Sequence, residues 1–438
     1  MKKLKCAVLG YGGRGEAYAE YALIRSDELE VVAIIDINPF VLQMAKKTFN
    51  LKDENLYLSL DDFLAKKVDC DFVINSTMDE LHYSTTMQLI EAGYDILLEK
   101  PITSDPKELK DIERKAAEKG VKILVCHVLR YTPFARKIKE IVDSGEIGKI
   151  ISMQLREHVW HGHFVNAYVR GKWNNEKECG SGLLLAKCCH DTDFLCWLNN
   201  NTEPVDVSSF GSRSFYCPEN APANSTERCW DCPVKDECLF DAYKFELKLD
   251  CCPRYTFCAL NKPLDELTEE EKIEHLKVSE FGQCVYKTNM DIVDRQSVSI
   301  NFANGSIATH MMIGGATKAG RVMHIVCEYG EIEGDLEAGR IIYRKFNRDA
   351  VNHKYIDDEH MYTDTEIIID LEIEVVKNAE KGHEGGDYHI MKDLVRYLNG
   401  EETSKASTTI KDSIAGHFVV YAAEKSRKER RIVALSEI

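Results

Sequence analysis

Residues 10–15 read Gly-Tyr-Gly-Gly-Arg-Gly, and they stand between the apolar run Cys6-Ala7-Val8-Leu9 and a helical pattern over 16–23. Strand, Gly-x-Gly-x-x-Gly turn and helix, in that order, constrain the chain more than any other stretch. Gly10 permits the sharp turn out of the strand. Gly12 lets backbone approach a pyrophosphate, and Gly15 lets the helix pack close to the strand. Gly13 and Arg14 complete the loop. The helix start offers free N–H groups and a partial positive charge to phosphates. A second apolar run, Val31–Ile35, ends at Asp36, 21 residues past Gly15. A carboxylate there suits the ribose hydroxyls of NAD and repels a 2′-phosphate, so NAD is the expected cofactor.

At 438 residues the chain is too long for one compact core, and two domains are expected. A net charge of −17 argues against nucleic acid and anionic membrane surfaces as partners. The apolar run after the basic residues 2–5 is too short for a signal-peptide core, and no stretch is long enough to span a membrane. A cytoplasmic protein is expected. Its sixteen cysteines then read as thiols or metal ligands rather than disulfides.

Residues 1–128 alternate β-rich runs (5–10, 30–36, 71–76, 94–99, 121–126) with helical patterns (40–49, 60–66, 80–92, 106–119). That is the signature of parallel βαβ units, an α/β domain whose ligands sit outside the carboxyl ends of the strands. The rule gathers Gly10–Gly15, Asp36, Ser76, Thr77, Glu99, Lys100 and His127 around one crevice. His82, in the helix after Ser76 and Thr77, joins the expected cofactor contacts.

Residues 129–438 form the second expected unit. A helix over 133–144 and a strand over 148–158 precede a loop at 158–173 rich in His, Tyr and Trp. A helix at 182–199 and a strand at 204–216 follow, then a Cys- and Pro-rich insertion at 217–258. The acidic run 264–271 reads as a solvated loop entering a helix. Alternation over 294–347, with a turn at Ala303-Asn304-Gly305, gives hairpins. Two helices, 384–399 and 408–429, close the chain. This half reads as an α+β domain, an open, largely antiparallel sheet with helices on one face.

Lys100, in Glu99-Lys100-Pro101, ends a buried strand at the crevice edge. Poor solvation and a cationic nicotinamide would lower its pKa towards proton transfer. In Leu183–Asp193, Lys187, His190 and Asp191 are i, i+3 and i+4 and share a helix face. Base, acid and cation together could take a hydroxyl proton while hydride leaves carbon.

The Gly-Tyr-Gly-Gly-Arg-Gly loop, the Glu-Lys-Pro and the helix carrying His190-Asp191 together resemble the Gfo/Idh/MocA oxidoreductases, the family of glucose-fructose oxidoreductase and inositol dehydrogenase. The resemblance covers essentially the whole chain. It implies an N-terminal Rossmann domain, doubly wound, and a C-terminal domain with a large, mostly antiparallel sheet that is often an oligomerisation surface. It implies NAD(P) and a sugar, polyol or glycoside substrate. On it, Lys100 matches the active-site lysine and His190 the catalytic histidine. Members commonly carry an Asp four residues before that histidine, where this chain has Ala186. Lys187, Asp191 or a residue from another segment must then orient His190, or the proton takes a different route.

The segment from Glu157, His158, Trp160 and His163 to Arg170 and Trp173 interleaves aromatics with hydrogen-bonding groups, as sugar sites do. His127, Arg130 and Tyr131, beside the crossing between domains, and His383 and Asp387, at a later helix start, join the expected substrate contacts. Cys229-Trp230-Asp231-Cys232 is a Cys-x-x-Cys knuckle with Cys238 six residues on. Thiolates so spaced can wrap structural zinc, the fourth coming from Cys217, Cys258 or the distant Cys284, which completes the assigned set. An iron–sulfur cluster fits less well, since hydride chemistry needs no one-electron carrier.

The function expected is NAD-dependent hydride transfer from a secondary alcohol of a sugar, glycoside or cyclic polyol, by a homo-oligomer. Two alternatives stand beside it. One is an NAD-dependent glycosidase that works through transient C3 oxidation and elimination, as some relatives in the resembled family do. The other is a non-catalytic Rossmann sensor of NAD or sugar.

Overall fold

A computed structural model describes residues 2–249, 251–347, 362–368 and 383–438. Six parallel strands form the first sheet: β1 (Leu4–Leu9), β2 (Leu29–Ile35), β3 (Leu56–Tyr57), β4 (Phe72–Asn75), β5 (Asp95–Leu98) and β6 (Ile123–Val125). Their order is β3-β2-β1-β4-β5-β6. The strand sequences are apolar at successive positions because helices cover both faces. Strand β3 has two residues and was not among the expected runs, since two residues carry no periodicity. Chain order reverses between β1 and β4, which pair in parallel, and this opens a ligand crevice at the sheet's carboxyl edge.

Helix starts in this half are written locally. Asn38, Asp105 and Thr132 each accept a backbone N–H at the start of a helix whose next residue is Pro39, Pro106 or Pro133. Helix α1 (Gly13–Ala19) follows the glycine loop.

The second sheet has nine strands. They are β7 (Ile150–Trp160), β8 (Pro204–Ser212), β9 (Arg295–Phe302), β10 (Ile307–Ala316), β11 (Gly320–Cys327), β12 (Gly330–Asp335), β13 (Arg340–Phe346), β14 (Tyr362–Ile368) and β15 (Val433–Ala434). The order is β14-β13-β12-β11-β7-β10-β9-β8-β15. Among the described residues β7 and β10 are its one parallel pair. Burial alternates along β9 to β12, so one face is packed and the other open.

On the packed face lie α2 (Leu183–Leu198) and α4 (Ile410–Glu429), in contact with each other. All of α2 except Lys187 is buried, its polar residues His190 to Asp193 included, so this helix runs through the interior. α3 (Gly386–Leu398) packs against α1 of the first domain. The chain returns to the first sheet near its end: Thr408 and Val125 exchange hydrogen bonds, and Ile102 N–H donates to His417 Nε2 at 3.0 Å. Residues 158–173 are not a loop. β7 runs to Trp160, and His161–Phe164 then winds as a helix into a wider turn over Val165–Val169, all five of them buried. Thr268 caps the helix Glu269–Val278 after the acidic run.

Candidate active site

The glycine loop is fixed from below and open above. Gly10 has φ +84°, and a Cβ on it would stand 2.6 Å from the Ser76 carbonyl oxygen. A Cβ on Gly15 would meet the Gly10 carbonyl at 2.2 Å. Above Gly12 and Gly13 there is open space, with nothing within 4 Å of a built Cβ. Gly12 also leaves the start of α1 without a side-chain cap. This unfilled cradle over free N–H groups fits a pyrophosphate. Asp36 is held at the end of β2 by the N–H groups of Tyr11 and Asn38, at 2.9 and 2.8 Å. Ser76 Oγ donates to Gly10 O at 2.7 Å and so braces the loop rather than standing free. Thr77 Oγ donates to Asn75 at 3.0 Å. Both ring nitrogens of His82 lie against backbone carbonyls, of Pro101 at 2.6 Å and Thr77 at 3.1 Å. That buried ring ties two strand ends together and is not turned to a ligand.

Arg14 departs from expectation. Its guanidinium leaves the cradle, donating to Glu99 at 2.8 Å and to both oxygens of Asp387. Glu99 also accepts from Tyr18 at 2.7 Å and from its neighbour's N–H, Lys100 N, at 2.7 Å. The Lys100 ammonium donates to Ala186 O at 2.8 Å, on the helix that carries His190. The lowered pKa expected for Lys100 is not found. Burial alone would lower it, but Glu99, with Cys189 and Asp79, outweighs burial and holds it above the ordinary lysine value. Lys100 is therefore a cation here.

His190 is 5% exposed, and its Nδ1 has no partner. Burial, then the charge of Lys100, depresses its pKa far below the ordinary value, so the ring is neutral. Its neighbours are other imidazoles. His127 lies 5.7 Å away edge-on and His383 5.8 Å away, centroid to centroid. His127 is fully buried with both nitrogens unpartnered, and sits 3.8 Å from Asp193 and 5.3 Å from the ring of His417. His383 Nδ1 stands 3.3 Å from Asp387.

Asp191 does not point the way His190 does. Residues 190 and 191 are about 100° apart around a helix. Asp191 turns to the sheet and accepts from Arg321 on β11 at 2.8 Å. Arg321 also meets Glu157 on β7 at 2.9 Å, and Glu157 lies 3.5 Å from the Lys187 ammonium. This is a buried ion network beneath the site.

His163 faces the crevice wall. Its pKa falls to about 3 through burial and the charges of Lys187, Lys100, His383 and Arg321. Its ring packs edge-on against Tyr168 at 5.7 Å and Tyr255 at 5.8 Å. Trp173 joins at 6.2 Å from both tyrosines and donates to Asp79 at 3.2 Å. Tyr255 comes from the Cys-rich insertion, and no local pattern pointed to it. The insertion also touches the first domain, where Arg254 donates to Glu16 of α1 at 2.6 Å, and just beyond it Asn261 accepts from Asn38 at 2.7 Å.

Other expected contacts are elsewhere. Arg130, 1% exposed, is clamped by Asp193 at 2.6 and 2.5 Å. The buried Tyr131 hydroxyl donates to Asp393 at 3.3 Å and accepts from Thr408 N–H at 3.2 Å. Arg170 donates to the carbonyls of Gln283 and Phe240 at 2.9 and 2.7 Å. His158 is half-buried and alternates with the buried Glu157 and Val159, so it faces the sheet's other side. Trp160 lies over Gly162 and against the His161 ring at 5.2 Å.

No disulfide joins any of the sixteen cysteines, all of which are among the described residues. Cys229, Cys232, Cys238 and Cys284 line one small cavity. Among the described residues, the two groups of three donors drawn to within 4.8 Å of one another include none of these four. The sulfurs are thus gathered but not closed to the spacing of a single bound ion.

Comparison with known proteins agrees with this geometry. Residues 4–127 match the oxidoreductase family with an NAD-binding Rossmann fold, and 135–229 match the GFO/IDH/MocA C-terminal domain. The putative oxidoreductase YteT of Bacillus subtilis is 24% identical over 94% of this chain and 93% of its own. The scyllo-inositol 2-dehydrogenase (NADP+) IolW of Bacillus subtilis is 26% identical over 43% of this chain and 50% of its own. Levoglucosan dehydrogenase in complex with NADH shares the fold, with TM-score 0.69, 16% identity and 99% of each chain covered. No helix among the described residues is long and apolar enough to cross a membrane. A six-strand sheet with a glycine cradle, a nine-strand sheet behind it and these matches lead to one assignment: the chain belongs to the Gfo/Idh/MocA family and is an NAD-binding oxidoreductase.

Proposed function

We propose that the protein oxidises a secondary alcohol of a sugar, glycoside or cyclic polyol. Bound NAD supplies the hydride acceptor. Gly10, Gly12, Gly13 and Gly15, the backbone of Arg14, and Asp36 would hold it. The carrying observation is the meeting of Lys100 and α2: the ammonium at the exit of β5 bonds the helix that presents His190. Lys100, a cation, donates to the alcohol oxygen and favours its developing negative charge. His190, neutral and with an unpartnered nitrogen, accepts the alcohol proton. His383, its ring 5.8 Å from that of His190 and its Nδ1 3.3 Å from Asp387, would supply the orienting contact that Ala186 cannot. His163, Tyr168, Trp173 and Tyr255 form an aromatic wall for the flat face of a ring. The polyol and anhydrosugar substrates named for relatives support this class.

The test is a panel of polyols, sugars and glycosides with NAD+, scoring NADH and released aglycone in the same wells. NADH from at least one member, abolished in Lys100→Ala with cofactor binding intact, is expected. Aglycone without net NADH would replace oxidation by glycoside cleavage. A homo-oligomer formed through the open sheet face belongs to the same reading, because Ile151, Ile307 and Met311 are exposed there. Light scattering of the purified chain tests it. Sixteen cysteines with no disulfide among them support a cytoplasmic location.

A further inference from the structure

The insertion has little core of its own. Phe257 at its end joins a small separate cluster with Leu267, Leu276 and Phe281 of the following segment, while Trp230, Leu239 and Leu249 are exposed. Phe240 and Phe245 anchor it to the main core, but the stretch around Trp230 and Leu239 has little apolar burial to hold it. Two strips of chain are pinned where the cysteines lie. Cys229 N–H donates to Gly282 O and Cys284 N–H to Glu227 O, both at 2.9 Å, around an isolated bridge between Arg228 and Gln283. That bridge carries Cys284 to the knuckle of Cys229 and Cys232, and Cys238 follows from the next turn.

The surroundings suit thiolates. Arg170 points Nη2 at Cys229 Sγ, 3.6 Å away, and its Nη1 is buried without a partner although the residue is 1% exposed. Arg228 and Lys235 line the cavity, and Arg228 Nε is a second buried donor with nothing to bond. Buried cations with unmet hydrogen-bonding capacity indicate a negative group beside them. The other candidate fourth ligands are drawn away. Cys217 accepts from Asn220 at 3.3 Å, and the exposed Cys258 donates to Tyr255 O at 3.4 Å.

We propose that Cys229, Cys232, Cys238 and Cys284 are the four ligands of one thiolate-held metal centre, which fastens the insertion to the 279–286 segment and so places Tyr255 over the crevice. Zn2+ and an iron–sulfur cluster share this ligand chemistry. Protein purified without chelator or air is assayed for zinc, iron and acid-labile sulfide. About one zinc per chain without sulfide identifies the ion, and iron with matching sulfide identifies the cluster. Neither metal above a tenth of an equivalent overturns the proposal. A mercurial titration of the wild-type protein should release the metal as about four thiols react. Release after two or fewer overturns the ligand set. Cys284→Ser should lose the metal and Cys258→Ser keep it, whereas full metal in Cys284→Ser overturns the assignment. The wild-type titration decides the matter if that variant does not fold.

Discussion

Asp387 takes two hydrogen bonds from Arg14, at 2.6 and 3.0 Å, and so joins the start of α3 to the glycine loop. Burial alone would raise its pKa, but Arg14 and His383 hold it far below the usual carboxylate range. The stability this gives is present above the unfolded carboxyl pKa of about 4 and is lost as pH falls below it. Asp387→Asn should cost about 3 kcal/mol at pH 7, the low end for a buried pair, because Arg14 keeps Glu99. It should also flatten the fall in stability below pH about 4. Urea unfolding between pH 3 and 7 measures both, and an unchanged acid slope would count against the pair.

Three buried histidines add a second acid-side loss, at higher pH. His127, His190 and His417 all have pKa values depressed by burial and by neighbouring positive groups, His417 to about 3. Unfolded, each takes a proton near pH 6.5. The folded state is therefore most stable above that pH and weakens as pH falls below it, by up to about 1.4 kcal/mol per pH unit for each ring. Melting temperature should drop steadily from pH 7 to pH 5. The acid limb of kcat/KM should lie below pH 6.5, because His190 stays neutral there. An acid limb at 6.5 or above would show that His190 is not the proton acceptor.

The glycine loop and the parallel strands around it were legible because they rest on local rules: three spaced glycines, an acid at a strand end, and β-rich runs alternating with helical ones. Lys100 was legible in place but not in charge state. The sign of its shift depends on how far Glu99 and Asp79 outweigh burial, which only geometry sets. Arg130, Tyr131 and Arg170 look like ligand-binding residues in sequence, yet each is paired with a group far along the chain. The wound segment 161–169 hides its helix, since its polar and aromatic residues are buried on every side and show no apolar stripe. Tyr255 owes its place to the docking of the insertion, a tertiary event.

Arg321 carries the ion network under α2. It pairs with Asp191 and Glu157, both buried, and its own side chain is 11% exposed. Arg321→Met would leave Asp191 without its close cation and Glu157 with only the more distant Lys187. The loss should be about 3–5 kcal/mol, and the double variant with Asp191→Asn should recover part of it. Thermal unfolding of the two variants checks this. Since Asp191 faces the sheet rather than the crevice, Asp191→Asn alone should lower stability more than kcat.

The insertion's contacts with the first domain should separate cofactor from substrate. Arg254 meets Glu16 with 69% of its side chain exposed, so the pair is worth at most about 1 kcal/mol. Arg254→Ala should raise the Kd for NAD fivefold or less and leave the KM for the sugar or polyol unchanged. Tyr255 lies against His163 and Trp173, where a ring substrate would stack. Tyr255→Ala should raise that KM by about tenfold, the value of one lost aromatic contact of roughly 1.4 kcal/mol, with NAD affinity intact. Fluorescence titration of NAD and steady-state kinetics on the two variants give both readouts. If Tyr255→Ala weakened NAD and spared the substrate, the insertion would cover the dinucleotide rather than the sugar.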